Sequence, residues 1–181
     1  MAFPSFASGD VLNASDMNAV GLWLVKSQAI GSAVSSVAVT NAFSSTYDNY
    51  RIFVNIDDVA AGGPYVTLQL GSTTTGYYYG AASVVYSTAG YSGVASNNQA
   101  TFNRLGPANS GVGSSLVIDV LNPNRAYRTM IASSYADFNT AGAGGYGSGF
   151  VNNTTQYTGF TIGLTSSTMT GGNIRVYGYR N

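Results

Sequence analysis

The sequence predicts an all-β fold: an antiparallel β-sandwich, with a jelly roll favoured, preceded by an N-terminal arm carrying one short helix. Three observations predict it. Apolar residues alternate with polar ones at a period of two in several runs, most cleanly Tyr50, Ile52, Val54 and Ile56 against Arg51, Phe53 and Asn55. Clusters of Gly, Pro, Asn and Ser punctuate these runs, among them 60–64 and Asn122-Pro123-Asn124. Helical signals, finally, are confined to the first 20 residues.

Taken in order, the arm comes first. Asn13 is a suitable N-cap, because its side chain can accept a backbone N–H that the first turn leaves unpaired. Asp16 stands three residues later, where a carboxylate completes a capping box and suits the positive end of the helix dipole. Leu12 and Met17 occupy the positions of a hydrophobic staple, and Gly21 stops the helix. A helix this short is marginal in water and needs a surface to dock on. The candidate docking residues are therefore Phe6, Gly9, Asp10, Val11, Leu12, Asn13, Asp16, Met17 and Asn18. Residues 22–30, with the chain's one tryptophan, Trp23, read as an extended linker. The division expected is an arm and linker over 1–29 and a β domain over 30–181.

Strands are expected at 34–40, where Val37 and Val39 share a face, at 49–57, and at Val66, Leu68 and Leu70. A tyrosine-rich strand follows at 77–86, and a short one at 100–105. Leu116, Ile118 and Val120 alternate with Val117 and Asp119; further strands are expected at 127–135, 147–152 and around Phe160, Ile162 and Leu164. The last carries Ile174 and Val176 on one face and Arg175, Tyr177 and Tyr179 on the other. Eight or nine strands with one apolar face each bury it best as two packed layers, and eight favour a jelly roll.

Composition narrows the function classes. Of 181 residues, 45% are hydrophobic and only 8% are charged, with a net charge of zero. About a quarter is usual for charge, and a chain whose surface is consumed in an assembly needs less of it. Outward positions carry Tyr, Phe, Ser, Thr and Asn rather than Lys or Glu, as interfaces do. Neutrality argues against nucleic acid as a partner, since that binding relies on a basic face. No apolar run reaches the length of a membrane span, so membrane insertion is not expected, and the N-terminus lacks the pattern of a signal peptide.

The chain has no His, no Cys and no Glu. This removes Ser-His-Asp and Cys-His catalysis and the commonest transition-metal ligands, and neither a metal nor a cofactor is expected. Asp57-Asp58 is the one adjacent acid pair, but neighbours on an extended chain point to opposite faces, so a turn or solvated role is expected. Asp119, an acid within an apolar strand, should pair with an arginine such as Arg51 or Arg128, or face a neighbouring subunit. The glycine-rich run 142–149 is not followed by a helix and reads as a flexible hairpin or inter-subunit loop rather than a phosphate cradle. Tyr77, Tyr78, Tyr79, Tyr86, Tyr91 and Tyr146 lie among Asn and Ser and suit a sugar ring, although tyrosine-rich strands of a sandwich more often serve packing or an interface.

Three stretches carry a family resemblance. The leader Gly9-Asp10-Val11-Leu12-Asn13-Ala14-Ser15-Asp16-Met17-Asn18 resembles that of small structural proteins of tailed bacteriophages, of the tail-fibre, minor-tail or decoration type. Ala42-Phe43-Ser44-Ser45-Thr46-Tyr47-Asp48-Asn49-Tyr50-Arg51-Ile52 is similar to the start of their β domain, and Gly172-Asn173-Ile174-Arg175-Val176-Tyr177-Gly178-Tyr179-Arg180 to their last strand. The resemblance implies a non-enzymatic virion component, assembled in the host bacterial cytoplasm. It implies a homotrimer with a jelly-roll head, docked on other virion proteins by its arm. On this reading a tail-fibre or adhesin-type protein displays tyrosine-rich loops to a host surface glycan. The alternative is a capsid decoration protein that cements the shell. A free carbohydrate-binding module or glycosidase is a third class, against which the missing His and Glu weigh.

Overall fold

The computed structural model describes Gly9 and residues 21–139 and 141–179. The expected short helix and, apart from Gly9, the candidate docking residues of the arm lie outside the described residues. Eleven strands follow one another among those residues: β1 (Leu22–Ala29), β2 (Ser36–Val39), β3 (Asn49–Val59), β4 (Val66–Leu70), β5 (Tyr77–Val85), β6 (Tyr91–Gln99), β7 (Ser114–Leu121), β8 (Met130–Ala136), β9 (Ala143–Val151), β10 (Phe160–Leu164) and β11 (Met169–Tyr179). They form two antiparallel sheets. The larger has eight strands in the order β1-β11-β3-β7-β8-β9-β5-β6, and the smaller has three in the order β2-β10-β4.

The alternation of β3 explains why the sheets meet. Tyr50, Ile52, Val54 and Ile56 are buried, as are Leu116, Ile118 and Val120 of β7 and Ile174 and Val176 of β11, all on one face of the large sheet. Val37, Val39, Val66, Leu68, Leu70, Phe160 and Ile162 supply the buried face of the small sheet, and the two sets form one core. Phe43 ties them together, its ring centroid 4.8 Å from that of Tyr50 and 5.4 Å from that of Phe160. Burying each such side chain fully contributes about 1.5–3 kcal/mol, which is why this face has a partner layer.

Four expectations are corrected. The stretch read as a linker, 22–30, is extended but is not a linker: Leu22–Ala29 is β1, paired with β11, so these residues belong to the large sheet rather than to an arm ending at residue 29. A register shift between Leu24 and Lys26 interrupts its alternation, which is why periodicity did not reveal it. The stretch 100–105 is not a strand; Phe102 makes a single bridge to Leu68 and is fully buried. A strand appears instead at Tyr91–Gln99, where the sequence offers no apolar alternation.

The glycine-rich run is the fourth correction: the strand expected at 147–152 begins earlier, at Ala143, and is β9 in the middle of the large sheet. Its glycines serve close packing. A Cβ on Gly149 would come within 2.4 Å of the Tyr78 carbonyl oxygen and 2.8 Å of the Phe102 ring, so only a residue without a side chain fits. Because the strands divide eight and three, the strand-count argument for a jelly roll, which rests on eight strands shared between two sheets, does not carry over.

Candidate functional site

Side chains alternate across a strand, so the residues that skip the core project from the opposite, outer face of the large sheet. No strand among the described residues packs on that face. The registers place Phe53 beside Val117 and Arg175, Arg51 beside Asp119 and Tyr177, and Tyr146 between Ala82 and Ser134. Leu24 lies opposite Tyr177, and Met130 opposite both Leu121 and Phe150. Leu24, Met130 and Tyr146 are 56%, 50% and 64% exposed, an unusual amount of apolar surface for one face. Aromatic rings stiffen it: Phe53 meets Tyr177 edge-on at 5.6 Å, and Tyr78 stacks on Phe150 at 5.2 Å.

Among the paired positions of this face the charged side chains are Arg51, Asp119 and Arg175, with Asp58 at the end of β3. Arg51 donates from Nε to Asp119 Oδ1 and from Nη2 to Oδ2, both at 2.8 Å, the bidentate pairing expected for Asp119. Tyr179 was not foreseen as a third member; its hydroxyl donates to Asp119 Oδ1 at 2.7 Å, and its ring lies 5.5 Å from the guanidinium carbon of Arg51. The Arg51 hydrogen bonds, outweighing burial, hold the Asp119 carboxyl below the usual carboxylate range. Burial first, then the Asp119 hydrogen bond, pushes the Tyr179 phenol up to about 12.

A depressed carboxylate stabilises the fold fully above its unfolded value, about 3.9, and loses that contribution as pH falls through its folded value. Asp119→Asn is therefore expected to cost about 0.5–1 kcal/mol at pH 7, a range set by solvent screening of a pair about a third exposed. Urea unfolding checks this: the gap between variant and parent should be clear at pH 7 and narrow as the pH falls below about 4.

The six tyrosines singled out in the sequence do not form one site. Tyr77 is fully buried, accepting the Leu70 N–H at 2.8 Å and donating to the Thr73 carbonyl at 3.2 Å; burial raises its pKa. Tyr79 is on the same inner side, half-buried, with its hydroxyl bonded to Asn103 Oδ1. Tyr78 points the other way, onto Phe150. Tyr86, Tyr91 and Tyr146 are 49%, 72% and 64% exposed. Tyr91 and Tyr146 share the outer face on either side of β5, opposite Val84 and Ala82. Between them lies a shallow, open depression of about 470 Å³ lined by Gly80, Ala82, Gly93, Ala95, Tyr146 and Ser148 among others.

A second recess lies on the inner side, where the Arg104 guanidinium stacks 4.0 Å over the Tyr65 ring beside Ser83, Ser92 and Tyr135. Its volume of about 40 Å³ suits water rather than a sugar ring. Among the described residues no three His, Cys, Asp or Glu side chains gather to hold a metal ion, and no helix is long and apolar enough to cross a membrane. The sequence signal for the outer face was present in Phe53, Tyr177 and Tyr179 facing away from the core. Leu24 had none, because β1 was not placed; Met130 lies inside the strand expected at 127–135 but was not singled out.

No protein-family model and no curated protein matches the chain. Among solved structures, a protein of unknown function from Shewanella oneidensis MR-1 is 8% identical, with a TM-score of 0.22 over 96% of this chain and 97% of that one. Desmodium yellow mottle tymovirus is 11% identical, with a TM-score of 0.20 over 97% and 95%. The infectious bursal disease virus VP2 subviral particle is 11% identical, with a TM-score of 0.17 over 85% and 41%. Superpositions at this level carry no argument about fold or function.

Proposed function

We propose that this chain is a non-enzymatic structural subunit of a tailed-bacteriophage particle, assembled in the host cytoplasm. Its arm, residues 9–18 above all, docks on other virion proteins, and its β domain is displayed as a tail-fibre or adhesin-type component. The observation that carries this reading is the outer face of the large sheet, apolar and aromatic over several strands, with Arg51 and Asp119 neutralising each other. A face of this kind suits coverage by neighbouring subunits. The resemblance of the leader, of residues 42–52 and of the last strand to tailed-phage structural proteins supplies the kind of particle. The same broad sheet face also favours a second reading, a capsid decoration protein packed laterally between shell subunits. Tyr86, Tyr91 and Tyr146 are the aromatic positions left for a host glycan, Tyr77 being core.

Deleting residues 1–20 tests the docking role, since β1 begins at Leu22 and the deletion leaves intact all eleven strands of the described residues. The expected result is a truncated chain with unchanged circular dichroism that is lost from purified particles. Incorporation of the truncated chain at the parental level would sink the docking role. Copy number per particle separates the two placements, few copies favouring the tail and many the shell.

A further inference from the structure

Among the described residues the eight-stranded sheet ends on β6, which pairs with β5 on one side only. The direction of its unpaired backbone groups follows from the ladder. Tyr86 N–H donates to the Gly142 carbonyl at 3.0 Å, so by alternation Val84, Ala82 and Gly80 turn their backbone toward β9. Val85 N–H donates to the Gly90 carbonyl at 2.9 Å, so Ser83 and Ala81 turn theirs toward β6. On β6 the residues opposite Val84, Ala82 and Gly80 are Tyr91, Gly93 and Ala95. Their N–H and C=O groups therefore point away from the sheet, three donors and three acceptors in a row at an open edge.

Exposed edges are normally guarded by charge, proline or a bulge. The opposite edge strand, β1, has a register shift beside Lys26, the chain's single lysine. The nine residues of β6, Tyr-Ser-Gly-Val-Ala-Ser-Asn-Asn-Gln, contain neither a charge nor a proline, and the free stretch 91–95 pairs with β5 without a shift. β6 carries its own register shift between Ser96 and Gln99, so the part of this edge without charge, proline or bulge is the stretch 91–95.

We infer that β6 pairs antiparallel with β6 of a second copy of this chain about a two-fold axis at Gly93, making one continuous sheet. A two-fold contact must be self-complementary, and this one is. Gly93 meets Gly93, exchanging both backbone hydrogen bonds, and Tyr91 falls opposite Ala95. With no charged residue on β6, the paired strands set no like charges opposite each other. The axis stands perpendicular to the sheet, so both outer faces lie on the same side. The Tyr91 ring, 72% exposed in the single chain, then lies beside Ala95 of the other copy. There it covers the depression lined by Gly80, Gly93 and Ala95, where small side chains leave room for it. The contact supplies both the donors an open edge seeks and a large ring matched to a hollow. It stands whether or not the chain is a particle component.

Site-specific crosslinking of the full chain tests the pairing, helped by the absence of any native cysteine. In Gly93→Cys the two thiols sit on Cα atoms about 5.5 Å apart in a hydrogen-bonded pair, within the roughly 4.4–6.8 Å that a disulfide spans. Mild oxidation should convert most of the protein to a two-chain species on a non-reducing denaturing gel. Ala95→Cys, displaced from its copy by four residues, should not crosslink. Gly93→Pro removes the central donor at an edge position that tolerates proline, and should halve the native mass measured by light scattering. Gly93→Lys keeps the donor but sets two like charges across the axis, and should do the same if the proline variant fails to fold. Crosslinking of Gly93→Cys no faster than Ala95→Cys, or a native mass unchanged in the folded Gly93 variants, overturns the pairing.

Discussion

Replacing Tyr50 by alanine is expected to destabilise the domain by about 3–5 kcal/mol, the range for truncating a large buried ring. Tyr50 is fully buried near the start of β3, and its ring packs 4.8 Å from Phe43 and 5.9 Å from Tyr47. Its hydroxyl closes the loop before the strand, accepting the Ser44 N–H at 2.8 Å and donating to the Ser44 carbonyl at 2.9 Å. Alanine opens a cavity between the sheets and leaves both backbone groups without a partner. Tyr50→Phe removes only the hydroxyl and should cost about 1–3 kcal/mol. Since whole domains are stable by only about 5–15 kcal/mol, the alanine variant removes a large fraction of the total. Urea unfolding measures both, and a loss below about 1 kcal/mol for Tyr50→Ala would contradict the placement of this residue.

Gly172→Ala is expected to cost about 3 kcal/mol or more, through a different mechanism. Gly172 lies in β11 where it crosses β3, with φ at +100°, a region that L side chains rarely enter. A Cβ there would stand 2.1 Å from the Asn55 carbonyl oxygen and 2.9 Å from its carbon, so backbone strain is joined by a clash with backbone that cannot step aside. Gly62→Ala is the informative comparison. It too has positive φ, +73°, but no atom lies within 4 Å of the added methyl, and the cost should fall to about 1–2 kcal/mol. Thermal unfolding of the two variants side by side separates conformational strain from close approach; equal losses would mean that the β11–β3 crossing is looser than described.

Strands that bury one face and wet the other were legible in the sequence, because burial imposes the period that periodicity detects. β3, β4 and β7 are of this kind, and Asp119 stood out in β7 because a lone acid in an apolar strand needs a partner. β6 escaped because it is exposed over most of its length, and the first half of β9, ahead of the strand expected at 147–152, because glycines that let neighbouring backbone and rings approach look like the glycines of a loop. β1 escaped because its bulge breaks the alternation. The candidate site was legible only in its composition. Scarce charge and abundant tyrosine suggested an interface, yet which residues form it depends on strand order, which local pattern does not encode. Tyr77, Tyr78 and Tyr79 show the cost of overlooking the period of two. Adjacent rings on a strand point apart, so the triplet offered for a sugar ring or an interface divides between the core side and the outer face.

The central claim is that the outer face of the large sheet is covered when the protein is in its particle. Hydroxyl-radical footprinting, read by mass spectrometry, measures that coverage directly at Met130 and Tyr146, which are 50% and 64% exposed in the single chain. The two residues should oxidise readily in the free protein and be protected severalfold in purified particles, while Tyr127, 68% exposed and outside the strands, changes less. Equal oxidation of Met130 and Tyr146 in both states, or absence of the chain from the particles, would contradict the claim.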